Sequence, residues 1–292
     1  MLIELHDVWL GDRGAILVRL RHGGLVGEGE ASPLPGYSPD DLDSCRAALR
    51  DTGPTTPAAE LARFAARLDL EGKRRGLPAH ALLGASRTAL PLATLVSDID
   101  AAAAAWRRGV RTLKVKIGRD HARDGDLLAT IRERFPEAEL RLDANGRAVD
   151  THDLARFAPV YIEEPLDPHG PIPVALDESL QRLPDDAIEA RLSSGAIAAL
   201  VLKPMTLGPE RCFALARRAA AHDVPVTVTH TLDGPLGLAA AAALALALPG
   251  RILAVGLDRH AGLAAWPPAH IAALADAEIR ATAAPGLGVT WG

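Results

Sequence analysis

From residue 91 onward, short apolar runs alternate with longer amphipathic segments. The apolar runs have the length of buried strands and cover residues 91–96, 111–117, 140–143, 159–163, 173–177, 198–202, 224–228 and 252–256. Most of the segments between them have the length of one helix, near residues 98–108, 120–135, from 151, 184–192, 208–222 and 236–248. Strands joined through helices favour a parallel sheet, and in a parallel barrel all the carboxyl ends of the strands open on one rim.

One connection departs from this rhythm. The segment from Glu163 to Asp177 contains four prolines, at positions 165, 168, 171 and 173. A helix does not continue through such a segment, because proline lacks the amide hydrogen and its ring clashes with the preceding turn. We therefore expect the barrel to lack one outer helix there, with a loop in its place.

The first 90 residues show a different pattern. Residues 2–10, 15–21 and 25–30 read as strands, which predicts a small antiparallel sheet with a turn at 11–14. The glycines and prolines of 27–38 predict a loop, and helices are predicted from 38 to about 50, from 57 to 70 and from 78 to 90. The predicted organisation is an α+β domain over residues 1–90, a barrel over 91–260, and a tail over 261–292 that packs back on the first domain.

Composition narrows the class of function. A net charge of −5 and a pI near 6.1 argue against nucleic-acid binding, because no basic stripe is present to neutralise phosphates. Only two cysteines occur, Cys45 and Cys212, which fits a reducing cytoplasm better than a disulfide framework. Residues 1–10 show no secretion signal, and the apolar run at 235–249 is shorter than the roughly 20 residues of a membrane span. We expect a cytoplasmic protein with no membrane or nucleic-acid partner.

Charged residues stand at the ends of the predicted barrel strands. Lys114 and Lys116 alternate with apolar residues, so both ammonium groups project from one face of their strand. Four later strands also end in a charged residue, namely Asp143, Glu163, Asp177 and Lys203. Three carboxylates without sulfur or imidazole between them are oxygen ligands of the kind that Mg²⁺ prefers. Such a metal, together with a lysine whose neutral form is favoured by nearby positive charge, favours removal of a proton α to a carboxylate.

Each of these motifs alone has a simpler structural interpretation. An isolated Lys-x-Lys is usually a solvated strand face, and an acid pair after a strand usually marks a turn. Their occurrence in order, on consecutive strand ends, favours a single site. Five neighbours stay open. Glu164 and Glu178 each lie next to a proposed ligand without an assigned role, and Asn145 either holds the loop or orients Lys116. His230 is either a hydrogen-bonding residue or a base, and Arg141 contacts either an acid or the substrate.

Taken together, these residues resemble the signature of the enolase superfamily, in its muconate-lactonizing subgroup. The resemblance is carried, in order, by Lys114-Val-Lys116, Asp143-Ala-Asn145, Glu163-Glu-Pro165, Asp177-Glu-Ser179 and Lys203-Pro204. It implies an α/β fold, a (β/α)7β TIM-like barrel with an N-terminal α+β capping domain whose loop covers the substrate. It also implies Mg²⁺, with Mn²⁺ as a substitute, on Asp143, Glu163 and Asp177, and Lys116 and Lys203 on opposite faces of a small carboxylate substrate.

Within the subgroup, the chain resembles the o-succinylbenzoate synthases of menaquinone biosynthesis. Residues 29–38 are similar to their capping loop, and residues 140–145 and 256–258 fit the same comparison. The candidate substrate contacts are Ser32, Tyr37, Arg141, Asn145, Thr229, His230 and Gly256. The seventh strand departs from the resemblance, because Thr229-His230-Thr231 stands where those synthases tend to have a serine-rich segment that receives the succinyl carboxylate. The missing outer helix is a second departure.

The resulting hypothesis is a carbon–oxygen lyase that forms o-succinylbenzoate by syn elimination of water. Lys116 would remove the α-proton and then protonate the departing hydroxide, Lys114 would keep Lys116 basic and help hold the carboxylate, and Lys203 would stabilise the planar anion from the other face. The alternative is a racemase or epimerase of N-acyl amino acids or dipeptides on the same scaffold. A noncatalytic barrel kept as a binding module is a third interpretation, disfavoured because all the charged positions are intact.

Overall fold

The computed structural model describes residues 2–10 and 13–292, so Gly11 and Asp12 of the predicted turn lie outside the described residues. The strands β1–β14 are, in chain order, Leu2–Leu10, Arg13–His22, Leu25–Ala31, Ala89–Pro91, Ala93–Val96, Thr112–Lys116, Glu139–Asp143, Tyr161–Glu163, Val174–Leu176, Ile197–Leu202, Val226–Val228, Ala269–Ile271, Glu278–Arg280 and Val289–Trp291. The α-helices α1–α10 are Leu42–Leu49, Pro57–Arg75, Ala79–Leu82, Ile99–Arg107, His121–Arg134, Thr151–Leu154, Asp185–Ser193, Pro204–Leu207, Pro209–Ala221 and Pro235–Ala247.

The N-terminal domain is an antiparallel sheet in the order β1-β2-β3, covered by α2. Helix α2 begins where the Thr56 side chain accepts a hydrogen bond from the Ala59 amide, and it ends at Gly76, whose φ is +65°. The sheet and helix approach closely because β3 presents glycine: a Cβ at Gly29 would lie 2.1 Å from the Ala62 carbonyl oxygen. Any larger residue at that position would push the helix away from the sheet.

Strands β5 to β11 form one parallel sheet in chain order. Residues 252–256 close it into a barrel: the Ala93 amide donates to the Val255 carbonyl at 2.8 Å, and the Leu253 amide donates to the Val226 carbonyl at 2.9 Å. The predicted eighth strand is thus present as isolated bridges to both neighbours. The predicted α/β barrel with an N-terminal α+β domain is confirmed, and its core consists of apolar side chains from both faces of the strands.

The prediction of one helix over residues 78–90 is wrong. Helix α3 covers only Ala79–Leu82, and residues 89–91 form β4, which pairs antiparallel with β13. Gly84, with φ +72°, ends the helical turn, and residues 89–91 then pair with strand β13. Tertiary pairing has overridden a local helical pattern.

Two connections on the outside of the barrel are short. Helix α6 is a single turn followed by a 3₁₀ turn, which ends at Ala158 with φ +46°. Residues 164–173, which connect β8 to β9, contain no helix, and the Leu166 amide donates to the Arg147 carbonyl at 3.0 Å. The proline-rich segment therefore lies along the neighbouring loop.

The last 32 residues contact the N-terminal domain. The Leu287 amide donates to Asp69 Oδ1 on α2 at 2.9 Å, and Trp291 Nε1 donates to Glu28 Oε2 on β3 at 2.9 Å. Helix α10 also packs against α2 and β3, and nearly all its residues are buried. Division of the chain at residues 90 and 260 stays a prediction. None of the helices in the described part of the chain has the length and apolar content to cross a bilayer.

Candidate active site

A cavity of about 630 Å³ opens at the carboxyl end of the barrel strands. Leu34 and Tyr37 reach it from the loop that follows β3, so the N-terminal domain contributes to its rim. Two sets of side chains stand around it, one at the ends of consecutive strands from β6 to β10 and the other on the residues after β11 and after the last barrel strand. The lysine–acid wall consists of Lys114, Lys116, Asp143, Glu163 and Lys203, which line the cavity, together with Asp177, which pairs with Lys203. The histidine wall consists of Thr229, His230, Thr231, Asp258, Arg259 and His260.

Strand register brings the lysine–acid wall together. Lys116 on β6 lies beside Asp143 on β7, and Asp143 lies beside Glu163 on β8. Neighbouring residues in register point to the same side of a sheet, so these side chains converge at the strand ends. Lys203 follows β10, which stands opposite β6 in the barrel order.

The three carboxylates are buried and paired with lysines. Asp143, Glu163 and Asp177 are each at most 2% exposed. Lys114 Nζ lies 2.9 Å from Asp143 Oδ2 and 2.6 Å from Glu163 Oε2, and Lys203 pairs with Asp177. Without such cations, three buried carboxylates would be strongly destabilising.

The protonation equilibria reflect this arrangement. Burial raises the pKa of Asp177 to about 7, although the Lys203 charge opposes the shift. Burial also raises the pKa of Glu163. At Asp143 burial acts in the same direction, but Lys114, Lys203 and Lys116 together outweigh it and lower the pKa of that carboxyl. Burial pushes the pKa of Lys114 and Lys203 down, but the neighbouring acids outweigh it and raise both. The expectation that a lysine's neutral form is favoured therefore does not hold for these two lysines in this arrangement.

Lys116 differs from the other two lysines. Its side chain is exposed to the cavity, and it forms no ion pair or hydrogen bond with residues 2–10 or 13–292. Among the three lysines, Lys116 is thus the one whose nitrogen can meet a substrate without first leaving an acid.

The acids fit a divalent cation by their chemistry. The Lys114 ammonium group occupies the place where a metal ion would bind, because it contacts carboxylate oxygens of both Asp143 and Glu163. As the side chains stand, no three His, Cys, Asp or Glu residues within 2–10 and 13–292 converge closely enough to hold a metal. Binding a metal would therefore require the lysine nitrogens to withdraw from between the acids. Buried carboxylates are the oxygen ligands that suit Mg²⁺.

Arg141 lies in the floor of the cavity. It is 2% exposed, pairs with Glu139 at 2.8 Å, and donates from Nη1 to the Ala254 carbonyl across the barrel at 2.7 Å. Its guanidinium carbon lies 5.3 Å from the centre of the Tyr161 ring. The structural ion pair considered from the sequence is present, and Arg141 also lines the cavity.

The other candidate contacts have different positions. The Tyr37 hydroxyl lies 3.5 Å from Asp177 Oδ1, and its ring centre lies 5.3 Å from Lys203 Nζ. Asn145 holds the loop, since its Nδ2 donates to Glu178 Oε1 at 3.0 Å. Gly256 lies in the wall, where a Cβ would lie 2.8 Å from Thr229 Cγ2. Ser32 is buried outside the cavity, and its hydroxyl donates to Glu30 at 2.9 Å, so its position does not support a substrate contact.

His230 is neutral, and the backbone sets its tautomer. Its Nδ1 accepts from the Leu232 amide at 3.0 Å, which leaves the proton on Nε2. Burial and the nearby His260 lower the pKa of His230 to about 3. The two imidazole rings lie 4.4 Å apart, centre to centre. This geometry leaves His230 with a donor, Nε2–H, and with no free ring nitrogen to accept a proton.

Three residues at or beside the histidine wall were not predicted from the sequence, namely Arg108, Arg259 and His260. Asp258 pairs with Arg108, whose Nη1 lies 2.9 Å from Asp258 Oδ1, and it accepts from the Thr94 hydroxyl at 2.6 Å. Arg259 is exposed at the cavity and forms no ion pair with the described residues. Arg259 and His260 could have been found, because they directly follow the end of the last predicted strand. Nothing in the sequence connected Arg108 with Asp258, because Arg108 lies in the predicted helix over residues 98–108, far from Asp258 along the chain.

The chain is similar to known proteins in sequence and in fold. Residues 98–292 match the family described as enolase C-terminal domain-like. An o-succinylbenzoate synthase from Salmonella arizonae is 32% identical over 289 residues, covering 88% of this chain and 86% of that protein. A dipeptide epimerase from Methylococcus capsulatus, complexed with Mg and the dipeptide L-Arg-D-Lys, has a TM-score of 0.81 at 24% identity and covers 99% of both chains. The muconate lactonizing enzyme from Pseudomonas putida has a TM-score of 0.81 at 22% identity, covering 99% of this chain and 96% of that chain.

The two solved structures show the fold, a barrel with an N-terminal capping domain. The family match spans more than half of the chain and contains every residue of both cavity walls. The roles of the individual residues stay predictions. On the family match and the relative at 32% identity, the chain belongs to the enolase superfamily and is an enzyme of that type.

Proposed function

We propose that the protein is a Mg²⁺-dependent lyase that forms o-succinylbenzoate from a succinyl-hydroxycyclohexadiene carboxylate, as a step of menaquinone biosynthesis. The main structural support for this proposal is the set of polar groups in the histidine wall. Its acid, Asp258, is paired with Arg108 and Thr94, whereas Arg259 forms no ion pair in the described part of the chain. The wall thus offers neutral donors and a cation, which suit a second carboxylate on the substrate better than an ammonium group.

Lys116 would carry the proton transfer. Its amine would take the α-proton as that C–H bond breaks, and the electron pair would stay on the substrate as a planar anion. The C–O bond would then break on the same face of the ring, and the Lys116 ammonium group would return the proton to the departing hydroxide, which leaves as water. Lys203, on the opposite side of the barrel, would stabilise the planar anion. Asp143, Glu163 and Asp177 would hold Mg²⁺, whose positive charge stabilises negative charge that develops on the substrate carboxylate.

The similarity to a named relative supports the same reaction. The Salmonella arizonae protein is an o-succinylbenzoate synthase, and its alignment covers most of both chains. A small carboxylate substrate also fits the size of the cavity, about 630 Å³.

The direct test is turnover. Purified protein with Mg²⁺ should convert the cyclohexadiene substrate to the aromatic product, followed by ultraviolet absorbance, and excess EDTA should abolish the reaction. If no aromatic product forms while an N-acyl amino acid or a dipeptide is epimerised, the proposed reaction is wrong.

The second candidate is a racemase or epimerase of N-acyl amino acids or dipeptides. Lys116 and Lys203 face each other across the barrel, and such a pair can remove a proton on one face and return one on the other. Incubation of N-succinyl amino acids and of dipeptides in deuterated water separates the two reactions. Only an epimerase would exchange and invert the α-hydrogen of those substrates.

A further inference from the structure

The turn at residues 229–234 joins β11 to α10 and carries His230. Leu232 in this turn has φ +61°, a left-handed conformation that is costly for a residue other than glycine. Its amide donates to His230 Nδ1 at 3.0 Å, and its carbonyl accepts from Arg13 Nη1 at 2.9 Å. The amide of this strained residue is therefore bonded to His230 in the cavity wall, and its carbonyl is bonded to Arg13 of the N-terminal domain.

Two residues of the capping domain hold the turn. Arg13 on β2 donates to the Leu232 carbonyl and also to the Ser32 carbonyl of its own domain. Glu30 on β3 is fully buried and accepts from the Gly234 amide at 2.5 Å and the Leu236 amide at 3.1 Å. The turn is therefore held from outside the barrel at two of its backbone groups, the Leu232 carbonyl and the Gly234 amide, and a third contact holds the Leu236 amide at the start of α10.

The backbone determines which polar group His230 can offer. An amide nitrogen can only donate, so His230 Nδ1 accepts from Leu232 and the neutral ring carries its proton on Nε2. His260 is held in a similar way, because its Nε2 donates to the Asp233 carbonyl at 2.8 Å. The rings stack at 4.4 Å, which restrains rotation of His230. The Nε2–H of His230 is left for the cavity that the residue lines.

We propose that Arg13 and Glu30 are positioning residues, which hold the 229–234 turn so that His230 presents Nε2–H to the distal carboxylate of the substrate. The identity of that ligand rests on the proposed function. The positioning of His230 by Arg13 and Glu30 does not rest on the proposed function, because it follows from contacts within the chain. A hydrogen bond from a neutral donor to a carboxylate changes affinity by about 10- to 100-fold.

The binding test uses o-succinylbenzoate and 2-butyrylbenzoate, which differ in the distal carboxylate, titrated calorimetrically in the presence of Mg²⁺. Wild type should prefer o-succinylbenzoate by about tenfold or more, and His230→Phe should lose most of that preference. Arg13→Met should reduce the preference about fivefold although Arg13 does not line the cavity, with the affinity for 2-butyrylbenzoate changed less than about twofold. Arg19→Met is the matched control, because Arg19 lies on the same strand and pairs with Glu28.

A second readout needs no ligand. Long-range ¹H–¹⁵N correlation spectra report which nitrogen of His230 carries the proton. Wild type and Arg19→Met should show the Nε2–H tautomer, whereas Arg13→Met should show a mixture. Should Arg13→Met fail to fold, Arg13→Lys keeps the charge but cannot reach both carbonyls, and it has the same expected outcome.

The two readouts separate the possible failures. If the folded Arg13 variant keeps both the wild-type tautomer and the wild-type ligand preference, the positioning role is wrong. If wild type binds both benzoates equally while the Arg13 variant shifts the tautomer, the hold on His230 is supported and the proposed distal carboxylate is overturned.

Discussion

The two walls of the cavity are built in different ways. In the lysine–acid wall, the side chains stand at or near the ends of strands, and parallel register brings Lys116, Asp143 and Glu163 side by side. In the histidine wall, His230 stands on a strained turn that Arg13 and Glu30 hold from another domain. The first wall is part of the barrel itself, whereas the second depends on how the capping domain meets the barrel.

This difference separates chemistry from recognition. The lysine–acid wall concentrates charge, with three carboxylates at most 2% exposed and two lysines paired to them. The histidine wall has neutral donors, an acid already paired, and Arg259 without an ion pair among the described residues. We expect changes in the first wall to affect turnover and metal binding, and changes in the second to affect the choice of ligand.

The largest expected effect comes from Lys116→Ala. Removing the proposed base should lower kcat about 10³-fold, while calorimetric binding of o-succinylbenzoate changes by about threefold at most. Arg119→Ala is the control, since Arg119 is an exposed cation just after the same strand. Near-normal turnover by the Lys116 variant would show that another group takes the proton.

Metal binding gives the next largest effect. Asp177→Asn removes one of the three proposed carboxylate ligands and should weaken Mg²⁺ binding about tenfold or more, measured by calorimetry. Asp185→Asn, at an exposed acid, should leave the affinity unchanged, and so should His230→Phe. Equal losses from the Asp177 and His230 variants would break the division between the walls.

Arg108→Met tests the charge of the histidine wall. Without its partner, Asp258 becomes an unpaired carboxylate at the cavity and should weaken o-succinylbenzoate binding about tenfold by repulsion. The double variant Arg108→Met/Asp258→Asn should recover most of the loss. Arg107→Met is the matched control, because the adjacent Arg107 is exposed. An unchanged affinity in the single variant would mean that the ligand does not approach this wall as an anion.

The smallest effect concerns stability at the domain contact. Burial and Asp233 raise the pKa of Glu30 to about 7, so the folded protein holds this proton more tightly than the unfolded chain does. The contribution of Glu30 to stability should therefore fall as pH rises from about 4.5 to about 7. Urea unfolding at pH 5 and pH 8 should show wild type losing on the order of 1–3 kcal/mol relative to Glu30→Gln. The same loss relative to Glu137→Gln, at an exposed carboxylate, would contradict this assignment.

The same contrast explains which parts of the site could be predicted from the sequence. Lys116, Asp143, Glu163, Asp177 and Lys203 could be placed, because each follows an apolar run and parallel strands bring their ends together. Arg13 could not be connected to His230, since the contact joins residues far apart in the chain through a backbone carbonyl. The pairing of lysines with acids was also not predicted, because alternation shows the face of a side chain and not its partner.

The fold shows a similar limit. The strands and most barrel helices were predicted from periodicity, and the four prolines after Glu163 correctly excluded a helix over 164–173. Residues 83–90 were wrongly placed in a helix, because the pairing of residues 89–91 with β13, far along the chain, leaves no local pattern.

Helix α10 limits how this protein can be divided or recombined. It is apolar on all sides, and residues of the capping domain cover part of its surface. Expressing the barrel alone would leave that surface in water and favour aggregation. Exchanging the first 90 residues with those of a relative would also require a matching surface on α10, so these two parts of the chain have to change together.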